Sequence, residues 1–211
     1  MTARIVTVAQ QKGGAGKTTL AAHLAVAWAR AGHKVGVVDI DPQASLTKWF
    51  AERARVKDAV PIELRCVGGW RVQSEVEKLA RIVDLVVVDS PPHAETEARI
   101  AVRAADLVIL PVQPSPMDLW AVQPTLDLAR QEKAEVVLVF NRMPPRGVLA
   151  DAVMAQAREL GVAIADAALG SRVAFAASLY AGKSVGESEP SGLAAAEMAA
   201  LAAELTRRAG A

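Results

Sequence analysis

The chain alternates short runs of consecutive apolar, often β-branched residues with longer stretches of helical period. Ile5-Val6-Thr7-Val8-Ala9, Val35-Gly36-Val37-Val38, Leu85-Val86-Val87-Val88, Leu107-Val108-Ile109-Leu110 and Val136-Val137-Leu138-Val139-Phe140 read as strands. These runs are apolar almost throughout rather than at every second position, the pattern of parallel strands covered on both faces. Helical patterns lie near 17–31, 71–82, 94–104, 117–131 and 148–160. A last helix over 191–208 puts Leu193, Met198, Leu201 and Leu205 near one face, and Gly32 stands where a helix C-terminal glycine belongs. Strands joined through helices of this length imply right-handed crossovers. The pattern therefore predicts an α/β fold with a doubly wound, mostly parallel sheet and helices on both faces. Prolines at 91–92, 111–116 and 144–145 follow strands directly and shape loops at the carboxyl edge of the sheet, where such sheets bind ligands. No linker interrupts the pattern, so residues 1–211 are expected to form one domain.

Composition narrows the function classes. With 52% hydrophobic and 22% charged residues the chain is globular, and its formal net charge of +1 provides no global field for a polyanion. Any nucleic-acid contact would have to come from a local patch. The single cysteine, Cys66, excludes an internal disulfide and a multi-thiolate metal site; within the run Ile62–Val67 it reads as a buried strand thiol. No basic-then-apolar leader is present, and no apolar run approaches the roughly 18 residues of a membrane span, so a cytoplasmic protein is expected.

The densest chemistry lies between the first strand and the first helix, in Gln10-Gln11-Lys12-Gly13-Gly14-Ala15-Gly16-Lys17-Thr18-Thr19. Glycines allow a tight wrap with successive N–H groups directed at phosphate oxygens, and the helix N-terminus adds partial positive charge. Lys17 would neutralise β- and γ-phosphate charge, the Thr18 hydroxyl would ligate Mg²⁺, and Thr19 could reach the α-phosphate. The ordinary phosphate-loop pattern wants glycine where Gln11 stands; a second lysine, Lys12, precedes the glycines instead. Two other strands end in carboxylates at the same edge, in Val38-Asp39-Ile40-Asp41-Pro42-Gln43 and Val88-Asp89-Ser90-Pro91-Pro92. Phosphoryl transfer to water needs a metal and a group that orients the nucleophile. Spacing alone does not say which of Asp39 and Asp41 plays which part.

Residues 12–19 resemble the deviant Walker A motif of the ParA/MinD superfamily of P-loop ATPases, and the resemblance extends from Ile5 to the last helix. It implies an ATPase with ATP and Mg²⁺ as ligands, and an ATP-dependent homodimer with nucleotide sandwiched between protomers. Lys12 would reach in trans to the partner's phosphates. It also implies that Asp41 orients the hydrolytic water, that Asp39 lies near the metal, and that Asp89 holds Mg²⁺ through a water. Asn141 matches a position that hydrogen-bonds the base in relatives, with the Pro111–Pro114 loop as a candidate apolar wall. Slow intrinsic turnover is expected, since nothing supplies an arginine in cis.

Within the superfamily, the lone cysteine disfavours the nitrogenase-type reductases, and the single tyrosine, Tyr180, disfavours the tyrosine kinases. The alanine-rich last helix is too weakly apolar for a MinD-like membrane anchor, so no membrane partner is expected. What remains resembles the short ParA-type partition ATPases, which implies non-specific DNA binding, a ParB-like or other cargo adaptor, and association with the nucleoid. Arg172 is the best match to their DNA-contacting residues, with Lys183, Arg207 and Arg208 as further candidates. Many relatives carry basic residues where this chain has alanine through much of 194–203. A dimeric switch that binds a protein and never DNA, and a metabolic enzyme that phosphorylates a small molecule, are the other classes. Lys12 argues against the last of these.

Overall fold

A computed structural model of the chain describes residues 3–92, 95–145 and 147–211. Seven strands form one parallel sheet: β1 (Arg4–Val8), β2 (Val35–Asp39), β3 (Glu63–Cys66), β4 (Leu85–Asp89), β5 (Leu107–Val112), β6 (Val136–Phe140) and β7 (Ala163–Ile164). Their order is β3-β2-β4-β1-β5-β6-β7. The chain turns outward in both directions from β1, which puts the switch of winding, and hence the ligand crevice, at its carboxyl end.

The continuous apolar runs are explained by two covered faces. Leu85 and Val87 of β4 join a core with Val6, Val8 and the helix α1 (Lys17–Arg30), whereas Val86 and Val88 pack with α3 (Val72–Leu79) on the other side. Gly36 is required by this second layer, because a Cβ there would lie 2.5 Å from the Leu79 side chain. The first face is completed by α2 (Ser45–Arg53), α8 (Val173–Tyr180), α9 (Val185–Ser188) and α10 (Leu193–Ala209). The second carries α4 (Glu95–Ala104), α5 (Pro116–Trp120), α6 (Gln123–Glu132) and α7 (Val148–Arg158). On the first face the buried His23 of α1 joins three helices. Its Nε2 faces the Phe175 carbonyl oxygen at 3.1 Å, and its Nδ1 accepts the Val185 N–H at 3.3 Å. Burial pushes the imidazole pKa down to about 4, so the ring is neutral with its proton on Nε2.

Several expectations need correction. The helical pattern over 117–131 is two helices, α5 and α6, because Pro124 has no N–H to continue the first. Cys66 is exposed rather than buried, since β3 is the sheet's edge strand and Cys66 its last residue. Met198, Leu201 and Leu205 are buried as the α10 pattern required, but Leu193 at its first turn is exposed. The expected helix over 94–104 begins at Glu95, and its first residue, Ala94, lies outside the described residues. Among the described residues no helix is long and apolar enough to cross a membrane.

Candidate functional site

β1 ends between β4 and β5, with Val8 opposite Asp89 on one side and Ile109 on the other. The chain then makes the glycine-rich loop and enters α1. Three side chains hold the loop's carbonyl oxygens. Lys17 Nζ donates to the Lys12 carbonyl (3.3 Å), Gln113 Nε2 to that of Gly14 (2.9 Å) and Asn141 Nδ2 to that of Ala15 (2.9 Å). The backbone N–H groups of residues 13–19 donate to nothing among the described residues. A run of undonated amides at a helix N-terminus is an anion site. Gly16 is indispensable, with φ +93° and a virtual Cβ only 2.5 Å from Asn141 Nδ2. Lys17 is buried, and burial lowers its pKa while Asp89 and then Asp41 oppose the shift.

The carboxylates converge beside the loop because their strands are register neighbours, Asp39 opposite Asp89 and Asp89 opposite Val8. Asp89 is fully buried, and neither of its oxygens accepts a hydrogen bond of good geometry among the described residues. Burial pushes its carboxyl up to about 7; Asp39 and Asp41 add to the rise, and the Thr18 hydroxyl and Lys17 ammonium oppose it. A desolvated carboxylate without partners, beside a threonine hydroxyl, fits a hard cation such as Mg²⁺, which typically uses one or two carboxylates together with phosphate oxygens.

Asp39 differs from this. Its Oδ2 accepts from the Thr47 N–H (2.8 Å) and hydroxyl (2.7 Å), and its Oδ1 from the Asp41 N–H (3.2 Å). Asp39 thus stands opposite Asp89, and its carboxylate is committed to fixing the first turn of α2. Asp41 is half-buried, with Oδ1 accepting the Gln43 N–H (2.9 Å). Between this aspartate and α2, Ala44 is held in the left-handed region at φ 51°, a conformation that costs a side-chain-bearing residue about 1–2 kcal/mol. Local strain of this kind gathers at ligand clamps and switch segments.

Lys12, at the other rim, forms an ion pair within its own chain, Nζ to Asp118 Oδ2 at 3.0 Å. Asp118 lies in α5 and is buried, and its Oδ1 has no partner. Farther along the edge, Gly16, Thr19 and Asn141 line a cavity whose apolar wall is Leu20, Leu169, Phe175 and Met198. The Pro111–Pro114 segment does not line it, and it is not a loop throughout, because Pro111 and Val112 end β5; the segment contributes Gln113 to the phosphate loop instead. Gln113 and Asp118 were missed in the sequence. Their signal was available, as polar residues in a proline-rich segment that follows a strand at the ligand edge.

The four basic residues named from the sequence do not line one common cavity. Arg172 also lines the cavity beside Asn141, paired with Glu197 (Nε to Oε2, 2.9 Å). Arg208 pairs with Glu204 at 2.8 Å, and Arg207 donates to the Ala203 carbonyl at 3.1 Å. Lys183 lies apart, in the turn between α8 and α9, with no carboxylate within 4 Å among the described residues.

Comparison with known proteins agrees with this architecture. Residues 6–187 match the family model of the CobQ/CobB/MinD/ParA nucleotide binding domain. The chain is 32% identical over 197 residues to Maintenance of carboxysome distribution protein A of Halothiobacillus neapolitanus, covering 90% of each chain. It is 30% identical to Protein ParA of Rhizobium radiobacter, over 82% of this chain and 81% of that one. Among solved structures it resembles an ATP complex of Cyanothece McdA, with TM-score 0.81 and 16% identity over 99% of this chain and 96% of that one. It likewise resembles MinD cell division protein of Aquifex aeolicus, with TM-score 0.81 and 20% identity over 97% of both. With its doubly wound sheet, its phosphate loop and a family match over most of its length, the chain belongs to the CobQ/CobB/MinD/ParA nucleotide-binding family, as a ParA/MinD-type member.

Proposed function

We propose that this chain is a partition-type ATPase: it binds ATP with Mg²⁺, closes into a nucleotide-sandwich dimer, binds duplex DNA without sequence preference, and hydrolyses ATP when an adaptor stimulates it. The observation that carries the chemistry is the undonated amide run at residues 13–19, set between buried Lys17 and the partnerless carboxylate of Asp89. The loop amides and Lys17 bind and orient the triphosphate, and Thr18 and Asp89 hold the cation. Mg²⁺ bound there would supply neutralisation of phosphate charge. Asp41 orients the attacking water, and Lys12 of each protomer stabilises charge on the other protomer's nucleotide. Asn141 and the cavity beside it take the base. The relatives of similar length are named for carboxysome distribution and for ParA. Positioning of a protein or DNA cargo is the corresponding role here, within one domain and in the cytoplasm.

A dimeric switch for a protein partner is the second reading. It is favoured by the internal partners that occupy Arg172, Arg207 and Arg208. One experiment addresses both. Asp41→Ala should retain ATP binding, lose hydrolysis and sediment as a dimer with ATP, whereas Lys17→Ala should bind no nucleotide. An ATP-loaded Asp41→Ala protein that stays monomeric at high concentration refutes the sandwich. A dimer without affinity for duplex DNA at low salt transfers the case to the protein-partner switch.

A further inference from the structure

Several of the chain's cations line one groove at the end of α1 remote from the phosphate loop. Arg30 closes α1, Arg55 and Lys57 follow α2, and Lys183 sits in the turn before α9; together they line one groove. Arg30, Lys57 and Lys183 each have no carboxylate within 4 Å among the described residues. The Arg30 guanidinium lies against Gly186, where a Cβ would come within 2.5 Å of Nη1. Arg55 pairs with Glu52 at 2.6 Å. Of the acidic residues in the groove, Glu187 is neutralised from below by buried Arg53, at 2.8 and 2.9 Å, which leaves Asp58. In a chain of net charge +1, this is a concentrated positive surface.

We propose that this groove is the surface that receives the phosphate backbone of duplex DNA. The inference rests on the DNA-binding reading above and moves the DNA surface away from Arg172. The groove offers no exposed large apolar side chain as an anchor for a protein partner, since its Val56 and Val60 are half-buried. It also has no aromatic residue on which unpaired bases could stack, so a duplex backbone is the polyanion that fits. Its position suits nucleotide-dependent binding. The helix α1 runs from Lys17 in the phosphate loop to Arg30 in the groove. The helix α2 is fixed to Asp39 through Thr47 at one end and to Glu187 through Arg53 at the other. Fourteen helical residues separate the sites by about 20 Å, so bound DNA leaves the nucleotide uncovered.

The test uses the full chain, trapped with ATP by Asp41→Ala, and fluorescence anisotropy on two unrelated duplexes between about 50 and 200 mM salt. With Lys57→Glu and Lys183→Glu combined, affinity at low salt should fall at least tenfold for both duplexes. The slope of log K against log salt should shrink by about 0.9 for each DNA phosphate that the protein no longer neutralises. Lys57→Arg with Lys183→Arg should bind as the parent does, and melting temperatures should show that both variants fold. If the parent binds DNA and the glutamate variant binds it with unchanged affinity and slope, this groove is not the DNA surface while the DNA reading survives. If the ATP-trapped parent binds no duplex at all, the DNA reading falls and takes this inference with it.

Discussion

The pair between Lys12 and Asp118 gives a sharp test, because the lysine assigned to the partner's nucleotide is held at home in the isolated chain. The two charges lie 3.0 Å apart, with the Asp118 side chain 7% exposed and that of Lys12 36% exposed. At an effective dielectric of about 20 their attraction is roughly 5 kcal/mol before desolvation. The open lysine end and the desolvation of the carboxylate reduce the net coupling to about 1–2 kcal/mol. Lys12→Ala also removes the only partner, among the described residues, of a buried carboxylate, so it should destabilise the nucleotide-free protein by about 2 kcal/mol. Asp118→Asn should cost less, and the double variant should cost clearly less than the sum of the two. Urea unfolding of all four proteins without nucleotide measures this coupling. Costs that add to within about 0.3 kcal/mol would show that the pair is not made in solution. The functional consequence is independent. On the sandwich reading proposed above, Lys12 must leave Asp118 to serve a second active site, so Asp118→Asn should strengthen ATP-driven dimerisation about 5- to 30-fold per pair released. Dimerisation that is unchanged or weakened in Asp118→Asn refutes the idea that the pair opposes assembly.

Two predictions concern pH and buried charge. His23 has its folded pKa lowered from 6.5 to about 4, so the unfolded chain takes up its proton first as pH falls. The stability tied to a neutral His23 is present above pH 6.5 and lost toward pH 4, by about 2 kcal/mol at pH 5; urea midpoints at pH 7, 6 and 5 should follow this loss, and His23→Gln should flatten it. Asp89 has the opposite sign, its folded pKa being raised from 3.8 to about 7, so its burial costs stability progressively as pH rises through that range. Asp89→Asn should therefore raise the urea midpoint of the nucleotide-free protein at neutral pH while abolishing the dependence of ATP binding on Mg²⁺; a variant that is less stable, or still Mg²⁺-dependent, contradicts the assignment.

The architecture and the phosphate loop were legible in the chain itself because both are local. Five apolar runs mark strands with two covered faces, and Lys12 to Thr19 carries its geometry in its glycines and its placement between strand and helix. Asp39 and Asp89 were visible for the same reason, each ending a strand at the ligand edge. The shorter elements were less legible. Two residues in β7 are too few to show a period, and the break between α5 and α6 depends on one proline inside an otherwise helical pattern.

What the tertiary structure decided is which partner each polar group has, because that follows from strand order and not from sequence distance. Resemblance implies that Asp39 lies near the metal, and only the fold shows that Thr47 is brought against its carboxylate. Resemblance assigns Lys12 to a partner's phosphates, and only the fold shows that α5 places Asp118 3.0 Å from it. Arg172 matches a DNA-contacting position by resemblance, and the packing of α10 beside the loop before α8 gives it Glu197. The charge pattern of one segment cannot reveal such neighbours, since an ion pair depends on a separation of a few ångströms between residues that can lie over a hundred positions apart. The groove of Arg30, Lys57 and Lys183 is a further case, three cations from three segments made into one surface where Gly182 and Glu187 meet Arg53 of α2 and α9 meets α1.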